Sequence, residues 1–263
     1  MYDVSEQAVL RAIGAMRERM GEQLTVDDLA RAAMFSKFHF TRIFQRVTGV
    51  SPARFLSALR LQRAKDLLVS TSMNVADISV HVGYNSVGTF SSRFSRSVGM
   101  SPTTFRRHSG YASVIHPDAH RRSPRPSTAR LTAHVRLAEP DDQATFFVGM
   151  FADRIPEGRP VRCAVLSRPG RLTFDNAPLG TWWLLAQSVS GDPALPDGGA
   201  VSVATWGPFT VYPDAVVAAD IVLRPSRVLD PPVLLALLDA RKDALSRMHE
   251  AAPSWPAGPR AVA

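Results

Sequence analysis

"VTGVSPARF", Val47 to Phe55, is answered fifty residues later by "SVGMSPTTF", Ser97 to Phe105. Each stretch carries a Gly, one apolar residue, then Ser-Pro and a Phe three places beyond the proline. Glycine supplies the left-handed residue that stops a helix, whereas a serine followed by proline starts one. Each stretch therefore marks the end of one helix and the beginning of the next. The correspondence extends upstream, where "TVDDLA" (Thr25–Ala30) matches "NVADIS" (Asn74–Ser79) at an offset of 49. Beyond the turn the offset becomes 50, because "MFS" is answered by "GYNS", which is one residue longer. Phe40 then pairs with Phe90, Phe44 with Phe94, Arg46 with Arg96 and Gly49 with Gly99. Each copy reads as a short capped helix, a tight turn and a second capped helix ended by Gly, which is helix-turn-helix architecture present twice.

Residues 4–108 read as seven helices, with no strand-like alternation. Thr25 and Asp28 have capping-box spacing, and Ser36, Ser51-Pro52, Asn74, Ser86 and Ser101-Pro102 are further helix starts. The helix from Pro52 to about Val69 would be about 27 Å long, enough to hold two units near one DNA turn apart, about 34 Å. Within the first unit, Phe40, Ile43, Phe44 and Val47 fall on one face and are core positions. The opposite face holds Lys37, Phe38, Thr41, Arg42 and Gln45. A plain helical bundle accounts for the first face but not for this mixture of charge, hydrogen-bonding groups and one large ring. Arg42 suits guanine, Gln45 suits adenine or a phosphate, and Phe38 suits a thymine methyl.

Charge separates the chain in the same way. Residues 1–130 hold 19 Lys and Arg against 9 Asp and Glu, a net +10, whereas residues 131–263 hold 12 against 14, a net −2. The positive excess lies with the helices and points to a polyanionic partner for that half. Arginine outnumbers lysine 28 to 3, which a GC-rich genome alone would produce, so arginine abundance by itself carries little weight.

Residues 8–108 resemble the DNA-binding domain of AraC/XylS-type transcription regulators, through "LARAAMFSKFHFTRIFQRVTGVSPARFLSALRLQRAKDLL" and "VADISVHVGYNSVGTFSSRFSRSVGMSPTTFRR". The resemblance implies base-reading positions at Phe38, Thr41 and Arg42 in the first unit, and at Val87, Gly88, Ser91 and Ser92 in the second. The second unit departs from the family pattern, with Ser92 where an Arg is usual and Phe94-Ser95 where Phe-Lys is usual. Its outer face is small and uncharged. It is expected to hold phosphates, through Ser86, Arg93 and Arg96, more than it reads bases, with Ser36 and Arg46 as the phosphate contacts of the first unit.

The domain plan is residues 1–110 as the dual helix-turn-helix domain, with units at about 25–47 and 74–98, and 111–130 as a polar linker. After it, β-rich runs at Leu131–Leu137, Thr145–Ile155, Val161–Ser167, Arg171–Asn176, Trp182–Val189, Val201–Thr205 and Val216–Leu223 predict an antiparallel β-sandwich over 131–226. Residues 227–263 are expected to form a C-terminal helix, with Leu234, Leu238, Leu245 and Met248 on one stripe, and a Pro-rich tail. The fold class is thus all-α followed by β. "RLTFDNAPLGTWWLLAQSV" (Arg171–Val189) is similar to a carboxypeptidase-regulatory or transthyretin-like sandwich repeat, which implies a core position for Trp182. On that strand Trp183 and Leu185 take the other face. Either a loop or the final helix covers them, or they form a subunit interface or effector pocket.

Other chemistry is sparse. Cys163 is the only cysteine, which excludes intrachain disulfides, and it alternates as a small hydrophobe within "VRCAVLS". His116 and His120 flank Asp118 without a further ligand, so no metal site is expected, and no cofactor-binding motif is present. No apolar run reaches membrane-span length and no signal-peptide order opens the chain, so a cytoplasmic protein without membrane contact is expected. The reading is a sequence-specific, double-stranded-DNA-binding transcription regulator that is not an enzyme. Its further expected partners are RNA polymerase and either a small-molecule effector or a second copy bound through the β-rich half. The alternatives are an enzyme, or a protein-binding scaffold, fused to the AraC-type module.

Overall fold

In a computed structural model, residues 3–112, 127–142, 144–155, 157–190 and 201–237 are described. Seven helices come first: α1 (Val4–Glu18), α2 (Val26–Ala32), α3 (Lys37–Thr48), α4 (Pro52–Ser70), α5 (Val75–His81), α6 (Val87–Val98) and α7 (Pro102–Arg107). Their starts are chemically specified. Thr25 and Asp28 close a reciprocal capping box on α2, and Ser51, Asn74, Ser86 and Ser101 each accept a backbone N–H of their own first turn. Ser36 is the exception. It occupies the N-cap position of α3, but its side chain makes no capping bond.

The repeated Ser-Pro…Phe signal has a structural role. Phe44 packs on Phe40 at 5.5 Å between ring centroids, and Phe55 meets Phe44 edge-on at 5.4 Å. In the second unit Phe94 lies 5.6 Å from Phe90, and Phe105 meets Phe94 at 5.6 Å, again edge-on. Of these six rings five are fully buried and Phe105 is nearly so. The glycine that ends each long helix, Gly49 or Gly99, has φ of 78° or 90°, the left-handed turn that lets the chain fold back and deliver the third phenylalanine. Edge-to-face pairing adds about 0.5–1.5 kcal/mol per pair to the burial of the rings themselves. The linking helix α4 has 19 residues, hence about 28 Å of length, and packs against helices of both units with buried residues all round it.

The second half holds β1 (Arg130–Leu137), β2 (Ala144–Phe151), β3 (Arg162–Leu166), β4 (Gly170–Phe174), β5 (Gly180–Ser190), β6 (Ser202–Val211) and β7 (Val216–Pro225). They form one seven-stranded sheet of order β3-β2-β5-β6-β7-β1-β4. The sheet curls in a barrel-like way around a core that includes Phe146, Met150, Trp182, Leu184 and Ile221. Two expectations need correction. β1 and β7 pair in parallel, so the sheet is not wholly antiparallel. Hydrogen bonding also passes from β6 to β7 through Ser202–Pro225 and Val203–Arg224, joining what strand spacing alone presents as separate sandwich sheets. Spacing reports strand lengths and turns, not which strand lies beside which.

The expected final helix does not begin where the sequence places it, because residues 231–237 are non-helical. Pro231 and Pro232 remove two backbone donors there. The rest of that expectation, with the Leu238, Leu245 and Met248 part of the stripe, lies outside the described residues, as do His116, Asp118 and His120. Among the described residues no helix is long and apolar enough to cross a membrane, and no group of three or more His, Cys, Asp or Glu is placed to hold a metal ion.

The ring stacks give a direct check. Phe44→Ala is expected to destabilise the helical half by about 3–5 kcal/mol, as loss of a buried aromatic does. Phe38→Ala, on the exposed face of the same helix, is expected to change stability by no more than about 0.5 kcal/mol. Denaturant unfolding followed by helical circular dichroism reads both, and equal losses would contradict this packing.

Candidate nucleic-acid interface

Burial of Phe40, Ile43 and Phe44 fixes which side of α3 faces outward. Lys37, Phe38, Arg42 and Gln45 are exposed there, Phe38 to 85%, and Thr41 is half-buried between them. Keeping a phenylalanine that open on a helix forgoes roughly 1.5–3 kcal/mol of burial. The Thr41 hydroxyl donates to the Lys37 carbonyl at 2.8 Å. The Lys37 ammonium meets Asp27 at 2.8 Å, a surface pair worth under about 1 kcal/mol that a phosphate would displace. Arg42 and Gln45 make no hydrogen bond or ion pair among the described residues. The arrangement presents donors, acceptors and one apolar ring on a single helical face, the equipment that base edges in a major groove require.

The α6 face is chemically poorer. Val87 is 39% exposed, Ser92 is exposed, Ser91 is half-buried, and the space a side chain would occupy at Gly88 is open. Such a face admits close approach of a backbone but offers few base-reading groups.

The five residues expected at phosphates have different fates. Ser36 is exposed with an uncommitted hydroxyl, whereas Ser86 caps its own helix and donates to the Thr89 hydroxyl at 2.9 Å. Arg46 is exposed and reaches the Ser5 hydroxyl at 3.0 Å. Arg96 is exposed and makes no hydrogen bond or ion pair among the described residues. Arg93 is half-buried and turned toward the β-rich half, where it donates to Glu157 at 3.3 Å.

Glu157 is the residue that sequence reading did not single out. It stands in the loop between β2 and β3, and its carboxylate accepts from Arg54 at 3.4 Å, Arg93 at 3.3 Å and Ser97 at 3.0 Å. Arg54 lies in the first turn of α4, just beyond the first unit, while Arg93 and Ser97 belong to the second. One carboxylate from the β-rich half thus ties the start of the linking helix to the second unit. Gly158 N–H donates to the Ser97 carbonyl at 2.7 Å, and Asp153 adds a second pair with Arg54 at 3.1 Å. Ile155, Leu229, Leu234 and Ala236 enter the helical core. Lys65 donates to the Val233 carbonyl at 3.0 Å, and burial lowers its pKa to about 8. The only signal in sequence was an acidic residue in a Pro- and Gly-containing loop, and nothing local names a partner a hundred residues away.

Trp183 and Leu185 lie on this same seam. They pack with Phe147, Phe151, Leu235 and Leu237, and the Arg154 guanidinium sits 5.5 Å over the Trp183 ring. Leu185 is 3% exposed, so its cover is intramolecular. Cys163 borders the cluster, where burial raises its thiol pKa and so disfavours the thiolate that nucleophilic chemistry needs.

Comparison with known proteins decides what the helices are. Residues 29–108 match the family described as "Helix-turn-helix domain". The helical half is an AraC-type helix-turn-helix domain. Over 106 residues the chain is 28% identical to the lactose operon transcription activator of Staphylococcus xylosus, covering 40% of this chain and 38% of that protein. Over 92 residues it is 35% identical to the MmsAB operon regulatory protein of Pseudomonas aeruginosa, covering 35% of this chain and 30% of that one. A crystal structure of a Chromobacterium violaceum transcriptional regulator with an AraC-type DNA-binding domain aligns at 28% identity and a TM-score of 0.39, over 40% of this chain and 94% of that one. The chain spans about a third of the length of the curated relatives it matches.

The AraC-type domain and the β-rich half are joined at Glu157, which generates a second expectation. Glu157→Gln removes a half-buried charge that serves two arginines, and charged hydrogen bonds of this kind are worth about 1.5–3 kcal/mol before solvent screening. The Gly158 amide is therefore expected to exchange with solvent on the order of tenfold faster, about 1.4 kcal/mol, while the α3 core amides stay protected. Unchanged exchange at Gly158 would show that the carboxylate does not hold the seam.

Proposed function

We propose that this protein is a sequence-specific DNA-binding transcription regulator whose AraC-type domain engages double-stranded DNA through α3 and α6. The observation that carries the reading is the outer face of α3. Phe38, Arg42 and Gln45 are exposed there on a helix whose inner face is fixed by fully buried rings. The named relatives, an operon activator and an operon regulator, support it.

In this reading the two units divide the work. Arg42 and Phe38 read bases, while the smaller α6 face lies close to the duplex and Arg96 holds a phosphate, with Ser36 and Arg46 in the same role on α3. Arg93 is withheld from phosphate as long as Glu157 holds it. The β-rich half acts on the reading units through Glu157 and the 229–237 segment, with a small-molecule effector as its input. Trp183 and Leu185 serve as part of this intramolecular seam. RNA polymerase is the partner that a bound activator would contact.

Arg42→Ala is expected to cost about 1–3 kcal/mol on the preferred site and to relax preference at one base position. Arg96→Ala is expected to weaken all sequences about equally and to reduce the slope of log affinity against log salt by about one. Binding of the full chain to specific and scrambled duplexes across a salt series reads both. Equal, sequence-independent losses from the two changes would mean that Arg42 reads no base.

A further inference from the structure

The loop between β2 and β3 carries four charged side chains, Asp153, Arg154, Glu157 and Arg159. Three of them are committed within the protein. Asp153 pairs with Arg54 at 3.1 Å, Arg154 lies over the Trp183 ring at 5.5 Å, and Glu157 serves Arg54, Arg93 and Ser97. Arg159 is exposed and makes no hydrogen bond or ion pair among the described residues. The seam between the two halves accounts for every charge of this loop but that one.

The backbone on either side of Arg159 is nonetheless anchored. Before it, Gly158 donates its N–H to the Ser97 carbonyl at 2.7 Å, and a Cβ at Gly158 would stand 3.0 Å from the Arg96 carbonyl. After it, Pro160 is buried, and Val161 donates its N–H to the Met150 carbonyl of β2 at 2.9 Å. The proline also favours extended backbone at the residue before it. Arg159 is therefore held one residue away from the contact with the last turn of α6.

That turn is where the second unit keeps its own free cation. Arg96 is exposed, makes no hydrogen bond or ion pair among the described residues, and borders an open groove of about 570 Å³ with Gly88, Thr89 and Ser92. Gly88 and Ser92 belong to the α6 face that the proposed function sets against the duplex. The end of α6 thus presents two uncommitted guanidinium groups, one from each half of the chain, while the carboxylates beside them, Asp153 and Glu157, are already paired. Like charges left together at a surface repel each other, and an anionic partner removes that cost.

We propose that Arg159 is a phosphate contact that the β-rich half supplies to the duplex, beside the phosphate contact of Arg96. The DNA surface then extends past the two helix-turn-helix units onto the β2–β3 loop. A guanidinium suits the role, because it offers several N–H donors to phosphate oxygens and, touching only the backbone, carries no base preference. This rests on the reading of the protein as a duplex-binding regulator, and adds to its interface a residue outside the AraC-type domain.

The test is binding of the full chain to a selected duplex and to a scrambled one across a salt series. The parent is compared with Arg159→Gln, Arg159→Lys and Arg168→Gln. Arg159→Gln is expected to weaken both duplexes alike and to lower the slope of log affinity against log salt by about one. Its deficit should therefore shrink about three- to fourfold between about 50 and 200 mM salt. Its melting temperature should match the parent's, because the side chain has no partner to lose. Arg159→Lys keeps the charge and should keep the slope. Arg168→Gln removes an equal charge from the exposed turn between β3 and β4, and should leave the slope unchanged. Arg96→Ala combined with Arg159→Gln should lower the slope by about two. An unchanged slope in Arg159→Gln, an equal loss in Arg168→Gln, or a double variant no weaker than Arg96→Ala alone would overturn the inference. A parent that binds duplex no better than Arg159→Gln contradicts this inference alone, whereas a parent that binds no duplex contradicts the regulator reading on which it rests.

Discussion

Each of α3 and α6 is held by three phenylalanine rings, and the rest of the helical half follows from that arrangement. Phe40, Phe44 and Phe55 in the first unit, and Phe90, Phe94 and Phe105 in the second, fix the roll of α3 and α6 about their own axes. A helix free to roll would have no defined outer face. With the rings buried, the angular position of Phe38, Arg42 and Gln45 is set by covalent geometry alone, at about 100° per residue. Nucleic-acid recognition needs side chains placed to fractions of an ångström, and close-packed cores supply that rigidity. The left-handed glycines at 49 and 99 complete the device, because they turn the chain so that the third ring returns onto the other two.

The second constraint is the single carboxylate of Glu157. Its three partners come from the start of α4 and from α6, so the β-rich half grips the junction between the two units. One partner is Arg93, a cation on α6. In the proposed function a phosphate and Glu157 compete for that guanidinium, and this competition is the proposed route from the β-rich half to DNA affinity. The buried Lys65 and the apolar side chains of Ile155, Leu229 and Leu234 make the same seam expensive to open, so the coupling is between packed bodies and not across a loose tether.

Much of the helical half was legible in sequence, because caps and stops act locally. Thr25, Ser51, Asn74 and Ser101 accept first-turn N–H groups within three residues of themselves, so their chemistry is written beside them. The positions of the strands were legible in part, although β2 is buried at every residue and β6 runs to Val211, beyond the expected Val201–Thr205. Ser36 stands at the start of α3 as the sequence predicts, yet only its counterpart Ser86 caps with its side chain, because sequence does not reveal which hydroxyl rotamer is adopted. The parallel pairing of β1 with β7 and the grip of Glu157 on Arg93 were illegible for one reason. Each joins residues more than sixty positions apart, with no local signature at either end. Alternation separated the two faces of β5 and the sandwich-repeat resemblance placed Trp182 in the core, yet the cover over Leu185 comes from Leu235, in a segment read as helix.

The central claim is that one chain presents two reading heads to one face of a duplex. Hydroxyl-radical footprinting of the full chain on a selected high-affinity site tests this most directly. Two protected blocks on the same face, about one helical turn or 10–10.5 base pairs apart, are the result expected from two units joined by a helix of about 28 Å. A single protected block, or two blocks on opposite faces of the duplex, would contradict the account.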